Sequence, residues 1–148
     1  MSIYKLPNLI IPSPPRSGTT MLRIVLNRHP DIFIAKKETH FFDEHFHKGV
    51  EWWIKTYFKN CNTAKIVGEK TPTYFFNEKA IKRIKEILPD VKLIFIFRNP
   101  IDRAYSHYWQ HRMTLYDNAP AFEKAIEKEL NGQLDNPNLR YLWISQYS

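Results

Sequence analysis

The run Val91-Lys92-Leu93-Ile94-Phe95-Ile96-Phe97 constrains the fold more than any other stretch of this chain. It is long and rich in β-branched and aromatic residues, so it reads as a buried strand. Arg98-Asn99-Pro100 ends it, because proline cannot continue a ladder. A second apolar run, Asn8 to Ser13, breaks at Pro12-Ser13-Pro14-Pro15 and reads as a buried strand followed by a sharp turn. Gly18-Thr19-Thr20 then opens a helix with a broad apolar face made by Met21, Leu22, Ile24, Val25 and Leu26. Asn77 caps another, whose Ala80, Ile81, Ile84, Ile87 and Leu88 have helical spacing and which Pro89 stops. Lys48 to Lys59, Ile101 to Arg112 and Ala121 to Leu130 read as three further helices, and Ile32 to Ala35 and Ile66-Val67 as short strands. Asp117-Asn118-Ala119-Pro120 and Gly132 to Asn138 read as loops, and Tyr141 to Ser148 as the start of an apolar element. Strands alternating with helices imply an α/β fold, a parallel β-sheet with flanking crossover helices. Ligands of such sheets sit beyond the carboxyl ends of the strands.

With 148 residues the expectation is a single domain spanning 1–148. A hydrophobic fraction of 43%, with 15% aromatic, marks a core-forming chain rather than a disordered one. The net charge of +7 favours anionic partners: nucleotides, nucleic acid, acidic glycans, phosphate or sulfate groups. One cysteine, Cys61, excludes an internal disulfide framework and a multi-cysteine metal site, and reads as a bystander thiol in a polar loop. No run approaches the roughly 18 apolar residues of a membrane span. Met1 to Pro7 lacks the pattern of a signal peptide, so the expected compartment is cytoplasmic. The six histidines are scattered without metal-binding spacing, and no metal is expected.

Four polar segments carry candidate chemistry. Pro15-Arg16-Ser17-Gly18-Thr19-Thr20 is a strand-to-helix transition. Gly18 lets backbone N–H groups approach an anion at a helix N-terminus, while Ser17, Thr19, Thr20 and Arg16 add donors. The triphosphatase pattern with its P-loop lysine is absent, and an ordinary helix start reads equally well. Arg98 stands where a ligand would lie beyond the best strand, with Ser106 two helical turns later; a surface Arg and a neutral helix Ser are the plain alternative. Glu38-Thr39-His40-Phe41-Phe42-Asp43 sets a carboxylate among cations, which suits a general base. It also reads as a solvated loop over packed aromatics. Lys70, in Gly68-Glu69-Lys70-Thr71-Pro72-Thr73-Tyr74, suits an anionic group, or is simply an exposed residue in a proline turn.

These four segments, in this order, resemble the sulfotransferase family that uses 3′-phosphoadenosine 5′-phosphosulfate, and within it the heparan sulfate type and its bacterial relatives. The likeness spans roughly residues 8 to 148. It implies a P-loop-like, three-layer nucleotide-binding fold. It implies sulfuryl transfer from that donor to a hydroxyl or amine, on a glycan or other carbohydrate, without a metal. Arg16, Ser17, Gly18, Thr19 and Thr20 match the 5′-phosphosulfate loop, and Arg98 and Ser106 match the Arg and Ser that bind the 3′-phosphate. Glu38 matches the catalytic base, with His40 and Asp43 supporting it, and Lys70 matches a bridge to the sulfuryl group or acceptor. Arg stands at position 16 where many members have Lys. Family domains continue well beyond the point Ser148 reaches. The expectation is therefore the N-terminal part of the family domain, either truncated or completed by self-association. A non-catalytic nucleotide-binding or partner-binding remnant is the runner-up. The absent P-loop lysine argues against a kinase-like enzyme, and scattered rather than clustered lysines argue against a nucleic-acid module.

Overall fold

The computed structural model describes residues 5–61, 63–115, 120–133 and 140–147. They fall into two compact units, Met1–Ser13 with Gly18–Ile96, and Pro14–Ser17 with Phe97–Ser148.

The first unit holds strands β1 (Leu9–Ile11), β2 (Ile32–Ile34), β3 (Ile66–Lys70) and β4 (Lys92–Leu93), paired in the order β2-β3-β1-β4. Every pair is parallel. Helices α1 (Thr19–Leu26), α2 (Val50–Tyr57) and α3 (Glu78–Ile87) connect the strands in turn. This is the α/β architecture that the alternating pattern implies. Ile10 pairs with Glu69 and Ile11 with Lys70, so β1 and β3 end side by side. The pairing is close at Gly68: a Cβ there would fall 2.5 Å from the Leu9 carbonyl oxygen.

An aromatic cluster fills the core of this unit. Phe41 stacks on Trp53, with centroids 4.6 Å apart and planes 7° from parallel. Phe42 and Phe58 meet the same indole edge-on at 5.1 and 5.2 Å. From α3, Ala80 and Ile84 are buried in this cluster, and the Asn77 side chain accepts a hydrogen bond from Ala80 N, as its capping position predicts. Cys61 belongs to the core too, which corrects its reading as a thiol in a polar loop; burial raises its pKa.

Three expectations change. The run Val91–Phe97 is not a long buried strand. Only Lys92–Leu93 is regular, and Leu93 and Phe95 are 47% and 45% exposed. The reason is its position at the sheet edge, with β1 on one side and no strand on the other among the described residues. Beyond Ile94, the N–H of Ile96 donates to Ser13 Oγ at 2.8 Å instead of to a strand carbonyl, because the chain after β1 turns at its prolines. Ile81 of α3 is half exposed rather than in the core. The apolar face of α1 is likewise open at Met21 and Val25.

The second unit contains α4 (Pro100–Leu115), α5 (Phe122–Leu130) and a short turn at Trp143–Ser145. The Asn99 side chain caps α4 by accepting from Ile101 N at 3.0 Å and Asp102 N at 3.3 Å. Ala104, Tyr108, Ala125 and Tyr141 pack as its core. Most of the loops expected at Asp117–Pro120 and Gly132–Asn138 lie outside the described residues. Among those described, no helix is long and apolar enough to cross a membrane.

The contact at Gly68 generates a stability prediction. Gly68→Ala drives a methyl group into backbone that cannot swing aside. Urea unfolding should show a loss of about 1–3 kcal/mol, the usual cost of overpacking; an unchanged midpoint would mean that β1 and β3 do not pair this closely.

Candidate active site

In the first unit the end of β3 and the segment before the Phe41–His45 turn bring four of the expected residues together. Lys70, on the last position of β3, donates to Glu38 Oε1. His40 Nε2 lies 3.5 Å from Glu38 Oε2, and its Nδ1 lies 3.1 Å from Asp43 Oδ2. The result is a row of alternating charge: Lys70, Glu38, His40, Asp43. Thr73 also donates to Asp43 Oδ2, and Glu44 N donates to Asp43 Oδ1 at 2.8 Å.

The backbone holds this row in place. His40 adopts a left-handed conformation (φ 47°), which is costly for a non-glycine residue. Its carbonyl accepts from both Glu44 N (3.0 Å) and His45 N (2.9 Å), so the turn closes on it. Phe41 and Phe42 are anchored in the core on either side of that turn. Arg83 of α3 donates to the carbonyls of Phe42 (2.7 Å) and Asp43 (3.3 Å) and lies over the Phe46 ring.

The electrostatics follow from the row. Hydrogen bonding to Asp43, then to Glu38, pushes His40 up to about 10 against the opposing effect of burial. It is therefore an imidazolium at neutral pH. Burial alone would raise Glu38, but hydrogen bonds from His40 and Lys70, with their charges, outweigh it and hold the carboxyl below its ordinary value. Asp43 behaves in the same way: burial is outweighed by His40 and Thr73, and the net shift is downward. One ligand atom each from His40, Asp43 and Glu44 lies within 4.8 Å of the others. Both ring nitrogens of His40 face carboxylates, Nε2 toward Glu38 and Nδ1 toward Asp43.

Behind the row lies a carboxyl that sequence reasoning passed over. Glu69 is completely buried, as are Thr39, Thr71 and Tyr74 around it. Burial pushes Glu69 up to about 7, against the lowering effect of hydrogen bonds from those three hydroxyls. An acid just after the short apolar step Ile66-Val67 was the local signal; that its strand is flanked on both sides shows only in the sheet.

Gly18, Thr19 and Thr20 also belong to the first unit. Gly18 has φ 97°, and its carbonyl accepts from Leu22 N at 3.1 Å, which starts α1. Thr19 is buried, Thr20 is exposed, and the first turn of α1 carries no acidic residue.

The second unit holds the other candidates. Arg16 is exposed, with φ 70°, and its Nε donates to Ser106 Oγ of α4 at 3.0 Å. Ser17 is 7% exposed, and its buried hydroxyl has no hydrogen-bond partner among the described residues. Arg98 is exposed just before α4, and among the described residues Ser106 Oγ accepts from Arg16 rather than Arg98. Arg103, which the sequence did not single out, is completely buried. It donates to Ser145 Oγ (2.7 Å), to the carbonyls of Pro15 (3.2 Å) and Tyr141, and to His107 Nδ1 (3.2 Å). His107 can accept because burial, then His111 and Arg103, hold it down at about 3, leaving the ring neutral. Arg103 thus ties the carbonyl that precedes Arg16 to α4. Nothing in the sequence separates it from the exposed Arg112.

Within the second unit, Ser17 offers an orphaned buried hydroxyl and Arg16 an exposed guanidinium, groups whose chemistry suits an anion.

The His40 pairing makes a pH prediction. A group raised from 6.5 to about 10 stabilises the fold fully below pH 6.5, and that stabilisation is lost as pH rises through about 10. Chemical denaturation of wild type and His40→Gln between pH 6 and 10.5 should show the two curves converging as pH rises. Parallel curves would contradict the imidazolium.

The chain matches the family model described as "Sulfotransferase domain" over residues 6–136. It is 33% identical over 144 residues to the mouse heparan sulfate glucosamine 3-O-sulfotransferase 3B1, covering 97% of this chain and 36% of that protein. It is 34% identical over 145 residues to the mouse bifunctional heparan sulfate N-deacetylase/N-sulfotransferase 4, covering 93% and 16%. The crystal structure of a sulfotransferase from Alicyclobacillus acidocaldarius superposes with a TM-score of 0.82 at 25% identity, covering 97% of this chain and 65% of that one. The chain thus spans about a third or less of these curated relatives. By the family model and by these likenesses, this chain belongs to the sulfotransferase family.

Proposed function

We propose that the protein transfers a sulfuryl group from 3′-phosphoadenosine 5′-phosphosulfate to a hydroxyl or amine of a carbohydrate. The observation that carries this reading is the row Lys70–Glu38–His40–Asp43 at the end of β3. Its support is the similarity to enzymes named for acting on heparan sulfate.

The donor supplies an activated sulfuryl group on a phosphosulfate anhydride. Glu38 takes the proton of the acceptor hydroxyl as the new S–O bond forms. His40 and Lys70 hold Glu38 ionised and aimed. Lys70 has a double use: once its ammonium turns to the anionic sulfuryl oxygens, it no longer depresses Glu38, and the base strengthens where it is needed. Asp43 keeps His40 charged and oriented. Arg16, Ser17, and the backbone N–H groups from Gly18 to Thr20 are assigned to the departing 5′-phosphate, with the N-terminus of α1 adding positive potential. Arg98 and Ser106 are assigned to the 3′-phosphate, which sets this donor apart from ATP.

Calorimetric titration with 3′-phosphoadenosine 5′-phosphate tests the donor half of the reading. Wild type should bind, and Arg98→Ala should weaken binding about tenfold or more, the scale for a lost hydrogen bond to a charged group. A folded wild type that does not bind would defeat it. Transfer of labelled sulfate to desulfated heparan oligosaccharides tests the other half. Glu38→Gln should remove turnover while leaving donor binding intact, and Arg16→Ala should lower turnover about a hundredfold or more. Binding without turnover on any glycan would leave the nucleotide-binding remnant as the better description.

A further inference from the structure

Three hydroxyl groups converge on Glu69, and two of them, Thr39 Oγ1 and Tyr74 OH, also lie 3.3 Å from each other. Thr39 Oγ1 and Thr71 Oγ1 both donate to Glu69 Oε2, the latter at 2.9 Å, and Tyr74 OH donates to Oε1 at 3.3 Å. Each of the same oxygens accepts a backbone N–H. Thr71 Oγ1 accepts from Thr39 N (3.2 Å), Thr39 Oγ1 from Phe41 N (3.3 Å), and Tyr74 OH from Phe42 N (3.1 Å). A hydroxyl has one proton to give. Once ionised, Glu69 only accepts and draws hydroxyl protons inward, which leaves lone pairs of Thr39, Thr71 and Tyr74 facing the three amides. Those amides belong to residues 39, 41 and 42, the backbone that carries Glu38 on one side and brackets His40. The next residue along β3 is Lys70, the partner of Glu38.

We propose that Glu69 is the positioning residue of this site: its buried carboxylate sets the hydroxyl rotors of Thr39, Thr71 and Tyr74, and through them the backbone geometry that holds Glu38 and His40 in register with Lys70. The proposal rests on the reading of Glu38 and His40 as the acceptor-activating pair. Glu69 itself is buried behind that pair and acts through it. A fully buried acid that served only to fill the core would be a poor choice, since an apolar side chain of similar size fills space without desolvating a charge. The arrangement also explains why an amide is not equivalent. In Glu69→Gln the amide nitrogen must donate toward at least one hydroxyl. With Nε2 facing Tyr74, that hydroxyl receives two donors and its own proton loses the carboxylate.

The test is the titration of His40, followed by ¹⁵N-edited NMR of the imidazole, in wild type, Glu69→Gln, Glu69→Leu and Thr39→Val, each first shown to be folded by its thermal transition. Wild type should titrate near 10. In the variants the midpoint should fall by about one unit or more, as His40 loses its alignment with Glu38 and Asp43. Where transfer is measurable, kcat should drop about a hundredfold, the cost of a misplaced reacting group, with the KM for the donor unchanged. Folded variants that leave the His40 midpoint in place would overturn the proposal, as would a fall in donor affinity equal to the fall in kcat. If Glu69→Leu does not fold, Glu69→Gln and Thr39→Val decide by the same readout. The NMR arm needs no turnover: a chain that transfers nothing would defeat the functional reading, while the His40 midpoint would still decide the positioning.

Discussion

The close pairing of β1 with β3 is the constraint on which the first unit depends. Gly68 lets the two backbones approach at Leu9, where any Cβ would strike a carbonyl. That approach brings Ile10 opposite Glu69 and Ile11 opposite Lys70. The polar end of β3 is thereby set at the carboxyl edge of a parallel sheet, where open α/β folds bind their ligands. A strand displaced by one residue would exchange the directions of Glu69 and Lys70, because side chains alternate faces along a strand. The buried acid and the ion-paired ammonium would then each face the wrong environment.

A second constraint is that each unit buries one ionisable side chain inside a connected hydrogen-bonded set. The first unit surrounds Glu69 with three hydroxyls. The second surrounds Arg103 with two carbonyls, a serine and a neutral histidine. Both sets tie a candidate segment to a regular element: residues 38–42 to β3 in one case, Pro15 and Arg16 to α4 in the other. Buried charge is expensive unless it is fully hydrogen-bonded, so these sets specify one geometry or fail. The strained backbones at Arg16 and His40 stand next to them. Strain of this kind persists only where the surroundings over-determine it.

Much of the fold was legible along the chain. Prolines and an asparagine cap marked where strands end and α3 begins, because these effects act within a few residues. The run Val91–Phe97 misled for the opposite reason. Its composition announces a strand, but whether a strand is central or at the edge depends on how many neighbours it has, and that is a property of the whole sheet. Cys61 was misplaced similarly: its polar flanks say nothing of the aromatic cluster that covers it.

The four candidate segments could be picked out because their residue types suit anion binding and proton transfer, and because their order resembles a family. The alternation of strand and helix was likewise determined by the sequence alone. What only the tertiary structure decided is which of these residues meet. Glu38 and Lys70 lie 32 positions apart, and their pairing follows from strand order and register. Arg16 finds Ser106 across 90 positions. Glu69 and Arg103 were not singled out along the chain, since burial is a sum over contacts from distant parts of it. Local pattern encodes local geometry, whereas desolvation and the shifts in acidity that follow from it exist only once the chain has closed around a group.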